Sequence, residues 1–157
     1  MDERRDAEVP IETRPIHLMP GVADVVPHLP VPLALWANTR VAREADVRQW
    51  LGRAGLAECF QSVITSVDAG ARKPAPAFFE YALTRGEFET RDVVFVGNQL
   101  NSDVTGAEAF GIRSIWLSAA IYRSLDDTPC LARPTFTIET LHDLPALLQR
   151  LQAGDMD

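Results

Sequence analysis

The sequence has 157 residues, of which 46% are hydrophobic and 24% are charged, and a chain of this size fits a single domain with a buried core. Its formal net charge of -7 excludes the basic surface that nucleic acids and anionic membranes usually require, so neither is an expected partner. No apolar run reaches the roughly 20 residues of a membrane span, and Cys59 and Cys130 lack metal-ligand spacing, so we expect a cytoplasmic protein with two free thiols rather than a disulfide.

Three segments of the chain differ in composition. Residues 1–19 are charged and then spaced by prolines, which predicts an extended arm. Residues 20–152 carry the regular apolar patterns of an α/β core, and residues 153–157 are predicted to be a disordered tail.

Strands and helices alternate along the core. In chain order the apolar periodicity predicts a short helix at 20–26, a strand at 32–36, a helix at about 41–54 that Asn38 and Thr39 cap, and a strand at 62–66. It then predicts a helix at 74–83, a strand at 93–96, a helix at 103–110, a strand at 114–117, an irregular loop at 118–133, a strand at 135–138 and a helix at 140–151. This alternation is typical of an α/β fold with a Rossmann-like parallel sheet flanked by helices, in which ligands bind at the carboxyl ends of the strands.

Lys73 is unusual both in composition and in position. It is the only lysine beside fourteen arginines, and it stands directly before a proline-started helix. An ammonium at the amino end of a helix, where free backbone N–H groups already favour anions, is a candidate phosphate ligand. An exposed loop lysine is the ordinary alternative.

A second group of polar residues follows the clearest buried strand. The strand at 93–96 ends at Gly97, Asn98 comes next, and Asp103 follows five residues later at the start of a helix. Oxygens of Asn98 and Asp103 could converge on a hard cation such as Mg²⁺. Asp103 by itself could equally be a helix N-cap.

The first predicted strand also ends in small polar residues. Ala37, Asn38, Thr39 and Arg40 follow it and open the next helix. A strand-to-helix turn of this kind can hold a phosphate on its N–H groups, although it is equally an ordinary capped turn. Together with Lys73, the residues Asn38, Thr39 and Arg40 form the predicted phosphate-binding group.

In their order and spacing, these three segments resemble the haloacid dehalogenase-like (HAD) hydrolase superfamily over about residues 16–150. The resemblance implies a truncated HAD-like core. It also implies that Lys73 and Asp103 are vestiges of the catalytic lysine and aspartate, and that Asn98 and Asp103 are weak ligands for Mg²⁺.

Departures from the family pattern decide the expected function. The family's nucleophile is the first aspartate of an Asp-x-Asp motif that ends the central strand. No such strand precedes Pro20, and the sole Asp-x-Asp lies at 155–157. Ala37 also replaces the family's hydroxyl residue. Because covalent catalysis is lost without its nucleophile, we expect a degenerate core that is not a competent phosphatase alone and acts as a binding or subunit protein.

Two alternatives stay open. One is a Mg²⁺-dependent phosphatase or hydrolase whose nucleophile is supplied by another chain or segment. The other is a response-regulator-like receiver, which also uses a Lys-Pro pair. Bound Mg²⁺ is expected to be weak or absent, because Asp103 alone gives less anionic help than such sites normally use.

The missing strand has a structural consequence. In the family it lies between the strands predicted at 33–37 and 93–97, so its loss exposes two edges whose unpaired groups cost on the order of 1–3 kcal/mol each. The two strands could pair directly, the arm at 7–19 could fold in, or another chain could complete the sheet. We expect the last, most simply as a homodimer, with a small phosphorylated molecule as a further ligand.

Overall fold

The structure is a computed structural model that describes residues 13–123 and 130–154. The start of the predicted arm, the middle of the predicted loop at 118–133 and the Asp-x-Asp motif at 155–157 lie outside the described residues. Within these two ranges the chain alternates between strands and helices, as its sequence predicts.

The described residues form five strands and six α-helices. The strands are β1 (Leu33–Ala37), β2 (Phe60–Thr65), β3 (Val94–Gly97), β4 (Arg113–Leu117) and β5 (Phe136–Ile138). The helices are α1 (Val22–Val25), α2 (Glu44–Arg53), α3 (Ser66–Ala69), α4 (Pro76–Gly86), α5 (Thr105–Ala109) and α6 (Leu144–Gln152). None of these helices is long and apolar enough to cross a membrane.

The first α-helices after β1 and β3 begin later than their sequence patterns predict. α2 begins at Glu44 rather than near residue 41, because the Thr39 hydroxyl donates to the Ala42 carbonyl at 2.7 Å and keeps this stretch in a turn. α5 begins at Thr105, since the backbone after β3 first makes a π-helical turn. Both differences fall at the carboxyl ends of strands, where the candidate site lies.

All the strand ladders are parallel. β1 pairs with β2, and β3, β4 and β5 pair in that order. Helices connect most of the successive strands, as parallel pairing requires. The predicted α/β class with a Rossmann-like parallel sheet is therefore confirmed.

The sheet is interrupted between β1 and β3. Among the described residues these two strands do not pair with each other, and no other strand lies between them in a ladder. Direct closure of the sheet, one of the three expected outcomes, is therefore not observed. Residues 13–19 of the arm form no strand either, and the rest of the arm lies outside the described residues. Completion of the sheet by another chain stays a prediction.

An aromatic cluster joins the two parts of the sheet. The Trp36 ring of β1 lies 5.6 Å from the Phe95 ring of β3, and each lies 6.1 Å from the Phe79 ring of α4. Such aromatic pairs contribute about 0.5–1.5 kcal/mol each beyond their burial. The same cluster buries Ile64, Phe78, Ala82, Leu83, Ala107 and Ile112. Side chains rather than ladder hydrogen bonds therefore hold β1 beside β3.

A second core packs α1 and α6 against β4 and β5. Its largest fully buried side chain is Tyr122, which lies in the segment that the sequence predicts as an irregular loop. The Tyr122 hydroxyl donates to the Pro20 carbonyl at 2.8 Å. This bond ties the start of the core to the segment that follows β4.

Gly106 sets how closely α5 approaches α4. A Cβ at this position would lie 2.6 Å from the Phe79 ring and 2.9 Å from the Pro74 Cα, closer than real Cβ contacts. We expect Gly106→Ala to destabilise the fold by about 1–3 kcal/mol through overpacking. Gly52→Ala is the matched control, because Gly52 lies in α2 with nothing within 4 Å of its added Cβ.

For Gly52→Ala we expect a gain of up to about 1 kcal/mol, because alanine loses less conformational freedom on folding. Urea unfolding of both variants measures the two changes. A Gly106→Ala variant as stable as Gly52→Ala would contradict the close contact between the helices.

Candidate functional site

A buried ion pair lies where β1 and β3 end. The Lys73 ammonium donates to the Asp103 carboxylate, with 2.7 Å between Nζ and Oδ1, and both side chains are only 8% exposed. The same ammonium donates to the Trp36 carbonyl at 2.9 Å. Lys73 therefore connects the end of β1 with the π-helical turn that follows β3.

The surroundings of this pair are mostly apolar. The Lys73 Nζ lies 5.1 Å from the centre of the Phe95 ring and 5.9 Å from that of Phe78. The second oxygen of Asp103 accepts the Gln99 N–H at 3.2 Å. The two charges thus neutralise each other in a setting where an unpaired charge would be costly.

Asn38 holds the backbone of Lys73 in place. Its Nδ2 donates to the Lys73 carbonyl at 3.0 Å, and its Oδ1 accepts from the Lys73 N–H at 2.9 Å. The peptide bond between Lys73 and Pro74 is cis, and α4 begins at Pro76 rather than directly after Lys73. Asn38 therefore uses its amide to position Lys73, whereas its place after the first strand predicts a phosphate ligand.

The other two predicted phosphate ligands lie in different settings. The Thr39 N–H donates to the Ser66 hydroxyl at 2.9 Å, and its carbonyl accepts from Arg72 at 2.7 Å. Arg40 is exposed and has no hydrogen-bond or ion-pair partner among the described residues. The structure therefore brings Asn38 and Lys73 together, while Thr39 has its backbone already paired.

Asp68 caps α2, a role that the sequence pattern assigned to residues before the helix. It accepts the Glu44 N–H at 2.8 Å, the Thr65 hydroxyl at 2.7 Å and the Arg43 guanidinium at 3.1 Å. Burial by itself would raise the pKa of Asp68, but the Thr65, Glu44 and Arg43 hydrogen bonds outweigh it and hold that pKa below its ordinary value. No local pattern links this aspartate to a helix that precedes it.

The residues predicted to hold Mg²⁺ do not fit a divalent cation as they stand. The Asp103 carboxylate is paired with Lys73, and Asn98 turns its amide Nδ2 to the Tyr122 carbonyl. Mg²⁺ sites use several oxygen ligands. Across residues 13–123 and 130–154 there is no group of three or more His, Cys, Asp or Glu side chains that could hold a metal.

The chain is similar to known proteins over the part that carries this site. The family described as HAD-hydrolase-like matches residues 70–144. Glyceraldehyde 3-phosphate phosphatase of Methanocaldococcus jannaschii is 29% identical over 108 residues, which are 68% of this chain and 46% of that protein. The chain spans less than half the length of the curated relatives that it matches first.

Solved structures extend the similarity to the whole fold. The crystal structure of an uncharacterized protein from Listeria monocytogenes serotype 4b is 25% identical with a TM-score of 0.78, and the match covers 96% of this chain and 90% of that one. The 2-haloacid dehalogenase of Pseudomonas syringae pv. Tomato DC3000 is 28% identical with a TM-score of 0.65, over 86% of this chain and 54% of that one. The fold and these matches show that the chain is a core domain of the haloacid dehalogenase-like hydrolase superfamily.

Proposed function

We propose that this HAD-like core works by binding, as a subunit of a larger assembly, and that alone it does not hydrolyse phosphate esters. The observation that carries the proposal is the interruption of the sheet between β1 and β3. The family resemblance assigns the nucleophile to a strand at this position. The buried carboxylate nearest to it, Asp103, is already paired with Lys73.

The chemistry of the remaining side chains supports binding over catalysis. Covalent hydrolysis needs an activated nucleophile and a group that handles its proton. Asp103 is held by an ammonium at 2.7 Å, and Ala37 at the end of β1 offers no hydroxyl. The site can therefore hold an anion or a partner group, but it has no free nucleophile among the described residues.

The isolated chain is expected to leave p-nitrophenyl phosphate unhydrolysed in the presence of Mg²⁺, because no described residue of the site is placed to form the covalent intermediate. Release of nitrophenolate, followed by absorbance, measures this. Asp103→Ala is the control for a contaminating phosphatase. Turnover by the wild-type chain that Asp103→Ala abolishes would contradict the proposal.

A second function is favoured by the retained arrangement of Lys73, Asn38 and Asp103. If an aspartate-bearing strand from another chain or segment enters between β1 and β3, the completed site would be a Mg²⁺-dependent HAD-type phosphatase. Its signature is hydrolysis that appears only on mixing the two components. The binding function stands first because the described site holds a single, neutralised carboxylate.

The proposal includes the expected ligand, partner and location. The ligand is a small phosphorylated molecule, in keeping with the name of the M. jannaschii relative. The partner is a second copy or a different chain that completes the sheet. A cytoplasmic location suits the free thiols of Cys59 and Cys130.

A further inference from the structure

We infer that the interval between β1 and β3 is a slot that binds an extended strand of a different polypeptide. This slot is defined by the sides of Leu33–Ala37 and Val94–Gly97 that face each other. The inference rests on the proposed binding function, since it names the surface and the kind of partner.

The two strands that border the slot are placed to accept a neighbour. Both strands end at the ion pair of Lys73 and Asp103. The ring of Trp36, one residue before the end of β1, lies beside Phe95 of β3. They therefore run in the same direction. A parallel strand between them could form a ladder with each, because parallel pairing uses evenly spaced bonds on both edges of a strand.

Burial along the two strands is low, as expected for strands that each lack a neighbour on one side. Only Trp36 is buried in β1 and only Phe95 in β3, whereas β4, which has a partner on each side, buries three of its five residues. The remaining side chains of β1 and β3 are apolar or glycine and half-buried. Central parallel strands are normally apolar and covered on both faces. The incoming strand should therefore carry apolar side chains on both faces.

A buried donor without an acceptor lies at the same place. The Trp36 Nε1 has no hydrogen-bond partner among the described residues, although the residue is only 8% exposed. Buried donors without partners are rare in folded proteins. The Trp36 ring reaches from β1 to Phe95, so an oxygen on a strand in the slot could accept from its indole N–H.

The described part of this chain has no spare strand to offer to a second copy. Its five strands are already paired in ladders. The extended stretches at 14–20 and 130–135 contain prolines, which cannot donate in a central ladder. Among the described residues, a second copy would have to give up a strand of its own sheet, so a strand of different sequence fits the slot better.

Hydrogen exchange on the full chain tests the slot with a peptide probe, Lys-Val-Ile-Val-Ala-Val-Ile-Lys. The expected result is exchange slowed by about tenfold or more at the amides of β1 and β3 that do not face β2 or β4. The control is the same peptide N-methylated at alternate residues, which keeps the side chains and removes ladder donors. This control should give no protection.

Trp36→Phe tests the unpaired indole N–H separately from the aromatic packing. It keeps a ring in the cluster and removes the N–H, so the peptide should bind about three- to tenfold more weakly, as expected for one lost hydrogen bond. Equal binding of the peptide to Trp36→Phe and to the wild-type chain would overturn the role assigned to the indole.

Three outcomes would overturn the slot itself. Protection of both strands without peptide in a monomer, shown by light scattering, would mean that the chain closes its own sheet. The same protection in a dimer would make the occupant a second copy. No protection by either peptide would mean that the interval does not accept a strand. The hydrolysis assay tests the proposed function separately, because that function fails if the isolated chain hydrolyses p-nitrophenyl phosphate.

Discussion

Lys73→Met is expected to destabilise the fold by about 3–5 kcal/mol, because it leaves the Asp103 carboxylate buried without its cation. The methionine keeps the length and the apolar stem of the side chain. The loss of stability therefore comes from the removed charge rather than from a cavity. The free energy of urea unfolding measures the change. This is the largest single-residue effect that we expect on stability in the described chain.

An exposed ion pair of similar length gives the matched control. Arg48 and Glu44 lie 2.8 Å apart, but each side chain is 38% exposed. Arg48→Met should cost no more than about 0.5 kcal/mol, since water solvates the carboxylate that is left. A loss in Lys73→Met no greater than that in Arg48→Met would contradict a buried pair.

A double variant shows where the cost of Lys73→Met originates. In Lys73→Met/Asp103→Asn no charge remains, and the asparagine oxygen can still accept the Gln99 N–H that Asp103 accepts at 3.2 Å. Replacing a buried pair by neutral groups is often nearly neutral for stability. We therefore expect the double variant to recover most of the loss. A double variant as unstable as Lys73→Met would place the cost in packing instead.

Local patterns predicted the elements of this fold because each element buries its own periodic apolar face. The run at 93–96 is β3 with its end at Gly97, as predicted, and the helix predicted at 140–151 is the 3-10 turn at Leu141–Asp143 followed by α6. The position of the interruption came from the resemblance to a family rather than from any pattern in the residues. Local periodicity carries no information on which strands become neighbours.

The contacts that build the site were less predictable than its residues. Lys73 and Asp103 were singled out by their places after strands, but their pairing joins turns 30 residues apart. The two bonds between Asn38 and Lys73, and the cap of α2 by Asp68, are also long-range contacts made by common polar residues. Tyr122 lies in a stretch without periodicity, so no sequence signal marked it as core.

Asp103→Asn is expected to raise the affinity for inorganic phosphate on the order of a hundredfold. In the wild-type chain a phosphate near Lys73 meets the Asp103 carboxylate as well, because the two groups are 2.7 Å apart. Two like charges about 4 Å apart repel by about 4 kcal/mol at an effective dielectric constant of about 20. Screening by solvent reduces this repulsion to about 2.7 kcal/mol, which corresponds to about a hundredfold in affinity. The ammonium, released from its partner, becomes available to the anion.

Calorimetric titration with phosphate at constant ionic strength measures the affinity in the wild-type chain, in Asp103→Asn and in Lys73→Met/Asp103→Asn. The double variant should lose the gain, because it keeps the asparagine and removes the ammonium. Lys73→Ala should bind more weakly than the wild-type chain, whereas Arg40→Ala should change the affinity by less than about threefold, since an exposed guanidinium is well screened. The same affinity in all of these variants would show that Lys73 is not part of an anion site. A gain that survives the loss of Lys73 would place the anion on other groups.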